Sequence, residues 1–326
     1  MSPALLPFVP TTDNAPMILC VAGNPSIDKL FEVSEVVVGE IHRPDRMIAL
    51  PGGKGIHVAQ VATMLGAEAV VTGLLAGHTG RWVAQALAAE GVSGEWAWGA
   101  GETRSSLSVA DRLTGRLTEF YEDGQAVSGD DWRTVREIVD SLLPAADWIA
   151  LAGSLPDGAG GYPQLIESAR RHGVRCAVDS RGHALAEATD AGADLVKINI
   201  QEAAELLGAS FDGPADAVRA ARAVRERAGG DGHAVAITLG EDGMVGVDFE
   251  GGCWRGTLEA HGRYSVGCGD SFLAGILVGF EQAGSWDRAA ALALGAAAAN
   301  AELPGAGRLD PARARALAGR AVVGLV

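Results

Sequence analysis

Short apolar runs alternate along the chain with longer segments in which apolar residues recur every three or four positions. The short runs predict buried strands, and the longer segments predict helices that pack on them. Strands are predicted at 18–22, 69–75, 148–152, 175–179, 195–199 and 234–239. Helices are predicted at 56–65, 80–90, 130–142, 162–172, 183–191 and 214–228. This alternation indicates an α/β fold with a mostly parallel sheet that is covered on both faces.

Two stretches, 27–50 and 103–122, follow a different pattern, because their apolar and polar residues alternate with a period of two. They predict antiparallel strands outside the main sheet, with a turn at Thr114-Gly115. Both are insertions between early strand–helix units, so they could meet as a small discontinuous sheet that closes over a ligand as a lid. A plain extension of the sheet without a gating role is the alternative. The expected organisation is a disordered tail over 1–16 and a single domain over 17–326.

Composition and charge limit the classes of function. With 326 residues, of which 48% are hydrophobic, the chain can bury a large core, so disorder along its whole length is excluded. The 41 acidic and 26 basic residues give a net charge of -15, and this field repels nucleic acid and anionic membrane surfaces. We therefore expect neither a nucleic-acid nor a membrane partner, and an anionic ligand must meet a local basic cluster.

Cysteine spacing and the first residues indicate the compartment. Cys20, Cys176, Cys253 and Cys268 are scattered and form no C-x-x-C pair, which favours neither a zinc site nor a disulfide framework. The first residues lack a basic region and are interrupted by prolines, which argues against a signal peptide. No stretch reaches the roughly 18 apolar residues that span a bilayer. These features predict a cytoplasmic protein.

The segment YSVGCGDSF at 264–272 precedes a run of helical period. Gly267 and Gly269 allow positive φ, so successive N–H groups can converge at a helix N-terminus, where they would stabilise transferring phosphoryl oxygens. Asp270 lies in the same turn and could accept the proton of an attacking hydroxyl. The same aspartate could equally be a helix cap. Phe272 stands at the third glycine position of G-x-G-x-x-G, and the segment does not match the G-x-x-x-x-G-K-[ST] pattern either.

Two further glycine- or proline-bearing motifs precede it. In PGGKGIH at 51–57, the glycines permit close approach of a substrate, and Lys54 could neutralise a phosphate or be a solvated surface lysine. NPSID at 24–28 follows the first predicted strand, and open α/β sheets bind ligands at the carboxyl ends of their strands. Asp28 could accept hydrogen bonds from two sugar hydroxyls or from nearby turn amides.

In this order and spacing, the motifs resemble the ribokinase-like (PfkB) carbohydrate kinases, in particular the branch of 1-phosphofructokinase and tagatose-6-phosphate kinase. The resemblance extends over roughly 17–308. Its other elements are ETR at 102–104, AGSLPDG at 152–158, VKINIQEAAELLG at 196–208 and TLGEDG at 238–243. It implies a three-layer α/β/α sandwich with a small antiparallel β lid, and a kinase that uses ATP and Mg²⁺.

The resemblance also implies roles for individual residues. The general base would be Asp270, with an anion hole formed by the backbone of Gly267, Cys268 and Gly269. Substrate contacts would come from Asp28, Gly53, Lys54, His57, Arg104 and Arg43, of which Arg104 would hold a phosphate on the acceptor and Arg43 could reach a neighbouring subunit. Nucleotide contacts would come from Lys197, Asn199, Thr238, Gly240, Gly243 and Asn300, the last beside the adenine. Glu202 would organise Mg²⁺ through water.

The acceptor side departs from the family pattern. His57, Ser106 and Tyr121 stand where the family usually has asparagine. Cys268 for alanine and Ile198 for proline are milder changes. The expected reaction is therefore ATP-dependent phosphorylation of a sugar-phosphate hydroxyl, with an unphosphorylated sugar or nucleoside as the alternative acceptor.

Two other classes of function fit the sequence less well. A catalytically silent sugar sensor has no need of both Asp270 and Glu202. A dinucleotide-dependent oxidoreductase lacks support, because no G-x-G-x-x-G follows the first strand. We also expect a homodimer through the lid, since exposed sheet edges invite pairing.

Overall fold

The computed structural model describes residues 15–124, 126–211 and 213–326. Of the expected N-terminal tail, residues 1–14 lie outside the described residues. In the described chain, no helix is long and apolar enough to cross a membrane.

Strands and helices alternate along most of the chain. The strands are β1 (Met17–Ala22), β2 (Ser26–Val33), β3 (Arg46–Gly52), β4 (Glu68–Ala76), β5 (Ser93–Gly99), β6 (Ser105–Asp111), β7 (Leu117–Tyr121), β8 (Trp148–Ala152), β9 (Arg175–Asp179), β10 (Leu195–Asn199), β11 (Ala234–Thr238), β12 (Met244–Val247), β13 (Cys253–Thr257) and β14 (Val322–Leu325). The α-helices are α1 (Lys54–Met64), α2 (Gly77–Ala89), α3 (Gly129–Leu142), α4 (Pro163–His172), α5 (Gly182–Asp190), α6 (Ile200–Leu207), α7 (Gly213–Ala228), α8 (Cys268–Ala283), α9 (Trp286–Ala301) and α10 (Pro311–Ala318).

The main sheet has ten strands in the order β14-β13-β12-β11-β10-β9-β8-β1-β4-β5. The strands from β11 to β5 run parallel, whereas β12, β13 and β14 pair in antiparallel fashion. One hydrophobic cluster lies between the sheet and α1, α2, α8, α9 and α10. A second lies between the opposite face and α3 to α7. The α/β prediction is confirmed, since each predicted strand and helix is present with small shifts at its ends.

A second sheet contains four strands in the order β3-β2-β6-β7. Its outer pairs, β2–β3 and β6–β7, are antiparallel, but the central pair β2–β6 is parallel. The expectation of antiparallel strands throughout was wrong at this pair. A hairpin cannot connect β2 to β6, because the chain passes through β3, α1, β4, α2 and β5 between them and returns in the same direction.

The two sheets together place the candidate site. β1, β8, β9, β10 and β11 are parallel, so their carboxyl ends meet at one edge of the main sheet. The N-termini of α1 and α8 begin beside this edge, and the second sheet faces it. This edge is where open α/β sheets bind ligands.

Candidate active site

A cleft of about 1330 Å³ lies between the carboxyl edge of the main sheet and the four-stranded sheet. This volume is sufficient for two small-molecule ligands at once, because single-ligand sites usually occupy roughly 300–1,000 Å³. Many residues that the sequence singled out line the cleft, namely Asp28, Gly53, Lys54, His57, Arg104, Lys197, Asn199, Glu202, Thr238, Gly240, Gly267, Gly269 and Asp270.

Four of the singled-out residues do not line the cleft: Arg43, Gly243, Cys268 and Asn300. Arg43 is exposed in the connection between β2 and β3. Asn300 is fully buried, and its Nδ2 donates to the carbonyl oxygen of Val266 at 2.9 Å. The structure therefore places Asn300 behind the turn that begins α8, where it supports the backbone of that turn.

The turn before α8 exposes backbone donors. Gly267 has φ of +81° and is the N-cap residue, directly before Cys268, at which α8 begins. The amide of Cys268 donates to the carbonyl of Ser265 at 3.3 Å, whereas within the described chain the amides of Gly267 and Gly269 have no hydrogen-bond acceptor. The Sγ of Cys268 is directed behind the turn, 3.4 Å from the carbonyl oxygen of Tyr264. The start of α8 can thus offer two amides and the positive end of its dipole to an anion.

Asp270 lies in the first turn of α8 and is only 6% exposed. Its Oδ2 accepts a hydrogen bond from His57 Nδ1 at 2.8 Å instead of capping the helix. Among the described residues, no donor reaches Oδ1. Because Asp270 lines the cleft, this carboxylate oxygen is available to a hydroxyl that enters it.

Two lysines and a buried aspartate lie beside the glycine turn. Asp179, at the end of β9, accepts from Lys54 Nζ at 2.5 Å and from Lys197 Nζ at 2.6 Å. Burial alone would raise the pKa of Asp179, but the two ammonium groups hold it below its usual range. A Cβ added to Gly269 would lie 2.7 Å from Lys197 Nζ. The glycine turn is therefore flanked by an ion cluster of Asp179 and two ammonium groups, and these ammonium groups suit phosphate oxygens.

Asn199 and Glu202 form the start of α6. Asn199 Oδ1 accepts from the Glu202 amide at 2.8 Å, and Glu202 Oε2 accepts from the Asn199 amide at 2.8 Å. The pair is a capping box, so its spacing has a structural reason. Glu202 Oε1 lies 3.9 Å from Lys54 Nζ and faces the cleft.

Arg104 is half-buried at the opposite end of the cleft. Its guanidinium donates to the carbonyl oxygen of Asn24 at 3.2 Å and to Ser106 Oγ at 3.2 Å. Within the described residues it forms no salt bridge, and its Nε has no acceptor. Burial and the nearby charge of Arg181 lower the pKa of Arg104. The guanidinium borders the cleft, where it can pair with an anion.

Sequence reasoning did not single out Asp179 or Arg181, both of which line or support this site. A signal was present for each, because Asp179 ends a buried apolar strand at the carboxyl edge and Arg181 precedes the glycine that begins α5. A charged residue at such a strand end is a candidate for ligand contact.

Comparison with known proteins gives matches over most of the chain. The model of the pfkB family carbohydrate kinases matches residues 21–313. A 1-phosphofructokinase of Rhodobacter capsulatus is 31% identical over 286 residues, which cover 86% of this chain and 90% of that protein. The ATP-dependent 6-phosphofructokinase isozyme 2 of Escherichia coli (strain K12) is 33% identical over 226 residues, or 68% of this chain and 72% of that protein.

A solved structure shows the same architecture. The crystal structure of phosphofructokinase-2 from Escherichia coli in complex with fructose-6-phosphate superposes with a TM-score of 0.84 at 26% identity, covering 94% of this chain and 98% of that one. The family match, the relatives and the fold therefore agree over nearly the same residues, and the chain belongs to the pfkB family of carbohydrate kinases.

Proposed function

We propose that this protein transfers the γ-phosphoryl group of ATP to a hydroxyl of a sugar phosphate, with Asp270 as the general base. The observation that carries the proposal is the position of the Asp270 carboxylate, which faces a large cleft beside two backbone amides that have no acceptor among the described residues. One small turn thus contains both a proton acceptor and a site for anionic oxygens. The names of the relatives, 1-phosphofructokinase and ATP-dependent 6-phosphofructokinase, support this donor and this class of acceptor.

The proposed chemistry uses residues from both sides of the cleft. The acceptor oxygen forms a bond to the γ-phosphorus while its proton moves to Asp270 Oδ1. The bond from the γ-phosphorus to the bridging oxygen breaks, and ADP leaves with that electron pair. The amides of Gly267 and Gly269 and the ammonium groups of Lys54 and Lys197 stabilise the negative charge on the transferring group.

A magnesium ion would be held mainly by the nucleotide. The described residues contain no group of three or more carboxylate, histidine or cysteine side chains placed to bind a metal. Mg²⁺ commonly keeps several waters and takes one or two protein carboxylates together with substrate phosphates. Glu202 Oε1 fits the role of such a carboxylate acting through water, because its other oxygen is used by the capping box. When bound, the ion would neutralise charge on the phosphates.

Arg104 favours a phosphorylated acceptor. Among the described residues, its guanidinium forms no salt bridge with a carboxylate, and both Arg104 and Asp28 line the cleft. A phosphate could bind to Arg104 while the hydroxyls of the sugar reach Asp28. Ser106 and Tyr121, which replace family asparagines, have partners within the protein: Arg104 for Ser106 and Glu119 for Tyr121. An unphosphorylated sugar or nucleoside remains the second candidate on account of these replacements.

Substitution of Arg104 by alanine should raise KM for the acceptor by about tenfold or more, with KM for ATP nearly unchanged. The reason is the loss of a charge-assisted hydrogen bond to the acceptor phosphate, which contributes roughly 1.5–3 kcal/mol. Steady-state kinetics with each substrate varied in turn measures both constants. Arg133→Ala is the control, because Arg133 is exposed on α3 and, in the described part of the chain, forms an ion pair with Asp130 alone. Equal effects on both substrates would contradict a phosphate contact.

The acceptor can be identified with an ATP-consumption screen of the purified protein. Sugars, nucleosides, and hexose 1- and 6-phosphates would each be supplied with ATP and Mg²⁺. We expect ATP consumption with one or more hexose phosphates and little with unphosphorylated compounds. ATP consumption with unphosphorylated compounds alone would support the second candidate, a kinase of unphosphorylated sugars or nucleosides.

We further propose that the four-stranded sheet is a lid and joins two copies of the chain. Met47 and Phe120 do not line the cleft and are 66% and 60% exposed, which favours burial against a partner surface. Sedimentation velocity should show a dimer for the wild type and a monomer for Phe120→Asp. A wild-type monomer at micromolar concentration would contradict this interface.

The described cysteines are free thiols. This state is consistent with the reducing cytoplasm that we propose as the location of the protein.

A further inference from the structure

His57 connects two carboxylates that belong to different parts of the fold. It lies in α1 and is 5% exposed. Its Nδ1 is 2.8 Å from Asp270 Oδ2 in α8, and its Nε2 is 3.3 Å from Asp28 Oδ2 in β2. A neutral imidazole has only one N–H, so it would leave one ring nitrogen lone pair facing a carboxylate. The geometry therefore matches a doubly protonated ring.

The charges around His57 support the same protonation state. The imidazole faces Asp28 from β2 and Asp270 from α8, and the nearest charged residue on its own helix, Lys54, is directed to Asp179. Gly307, which follows α9, packs against His57: a Cβ added to Gly307 would lie 3.0 Å from His57 Cα and Cβ. Burial alone would lower the pKa of His57, but the hydrogen bonds and charges of Asp270 and Asp28 outweigh it and raise the pKa to about 9.

The contacts of His57 with Asp28 and Asp270, which together form a histidine bridge, fix the directions of the carboxylate oxygens. Asp28 Oδ1 accepts from Ser26 Oγ at 2.7 Å and its Oδ2 faces His57, so both oxygens have a fixed direction. Asp270 Oδ2 is bound to His57, and Oδ1 is the oxygen without a described donor. His57 is only 5% exposed, and Gly307 lies close to its Cα and Cβ, so the residue is closely packed between the two carboxylates.

We propose that His57 is a positioning residue that, as an imidazolium, connects the acceptor-binding carboxylate of Asp28 to the base Asp270. This inference rests on the proposed function. The bridge holds Asp270 with Oδ1 directed at the acceptor hydroxyl and links the orientation of the base to the carboxylate that binds the neighbouring hydroxyls. It also compensates one of two negative charges in a cleft that must admit a nucleotide and a phosphorylated sugar. Its proton stays on the ring during transfer.

A pH dependence follows from the bridge. The imidazolium is present below a pH of about 9 and is lost as the pH rises through that value. Deprotonation removes one of the two N–H donors and the positive charge between the two carboxylates, which weakens the link that orients Asp270. The turnover of the wild type should fall in this range, whereas a variant without the imidazole should lack this limb.

The first test is independent of activity. In acceptor-free protein with isotope-labelled histidine, the ring signals of His57, assigned by their loss in His57→Asn, should titrate near pH 9. In Asp270→Asn the midpoint should fall. Titration of the wild-type ring near the ordinary value of about 6.5 would overturn the bridge, whatever the kinase screen shows.

The second test uses activity with the acceptor that the ATP-consumption screen identifies. His57→Asn should lower kcat by roughly tenfold at neutral pH and remove the alkaline limb near pH 9, because misplacement of a catalytic group lowers the rate. His57→Gln serves as a second neutral variant should the first fold poorly. His183→Asn is the control, since His183 is exposed on α5 beside Glu187, and it should keep the wild-type profile. An unchanged kcat and alkaline limb in both His57 variants would overturn the positioning role while leaving the kinase assignment intact.

Discussion

Replacement of Asp270 by asparagine should lower kcat by at least about a hundredfold, with the affinity for ATP nearly unchanged. A general base contributes roughly 10²–10⁴ to the rate, and an amide cannot accept the acceptor proton at neutral pH. The amide has nearly the same volume as the carboxylate, so the cleft and the amides of Gly267 and Gly269 should be preserved. Turnover is measured with saturating acceptor, and ATP affinity is measured by calorimetry.

Asp287→Asn is the matched control for this substitution. Asp287 lies in the first turn of α9, much as Asp270 lies in the first turn of α8, but it does not line the cleft. Its replacement should leave kcat within about twofold of the wild type, since it removes only a favourable interaction with the helix dipole. Near-normal turnover in Asp270→Asn would contradict the role of Asp270 as general base, even if the control behaves as expected.

Gly267→Ala should lower kcat by about a hundredfold or more. The residue has φ of +81°, a conformation that L side chains rarely adopt. An added Cβ would lie 2.7 Å from the Cα of Ala306 and 2.8 Å from the amide nitrogen of Gly307. Both contacts are with backbone, so the turn must shift and carry its amides away from the phosphoryl oxygens. Loss of one such donor typically lowers the rate by about 10²–10³.

The same helix provides a control for the backbone effect. Gly284 follows the other end of α8 with φ of +64°, and an added Cβ there has no neighbouring atom within 4 Å. Gly284→Ala should therefore lower the free energy of unfolding by about 1–2 kcal/mol and leave kcat unchanged. Thermal unfolding and steady-state kinetics on both variants separate the two effects. Similar kcat values for Gly267→Ala and the wild type would contradict a role for the turn in charge stabilisation.

Much of the fold could be predicted because the buried strands are continuous apolar runs. In β1 every residue is buried, so a short run such as 18–22 indicates a central strand. The edge strand β5 and the antiparallel strand β13 are only partly buried and contain glycine, and their patterns do not differ clearly from loops. The parallel pairing of β2 with β6 depends on the route of the chain through the main domain, which local alternation does not encode.

The candidate site, like the fold, could be predicted from the sequence only in part. Residues in glycine turns, such as Asp270 and Lys54, could be named from local motifs. The His57–Asp270 hydrogen bond joins positions 213 residues apart, and the ion cluster of Asp179 also requires the folded sheet. Asn300 shows the opposite case, because a polar residue near the end of a helix resembles a ligand contact but here supports the α8 turn from behind. Motifs identify residue types, whereas their directions depend on tertiary packing.

The fate of the γ-phosphate distinguishes phosphoryl transfer to an acceptor hydroxyl opposite Asp270 from simple hydrolysis of ATP. ATP labelled in that phosphate is incubated with the wild type, Mg²⁺ and the acceptor from the screen, and the products are separated. We expect label on the acceptor as a stable phosphate ester, with little free phosphate, and ester formation at least about a hundredfold slower in Asp270→Asn. Label released only as inorganic phosphate, at the same rate with and without acceptor, would contradict phosphoryl transfer to the acceptor.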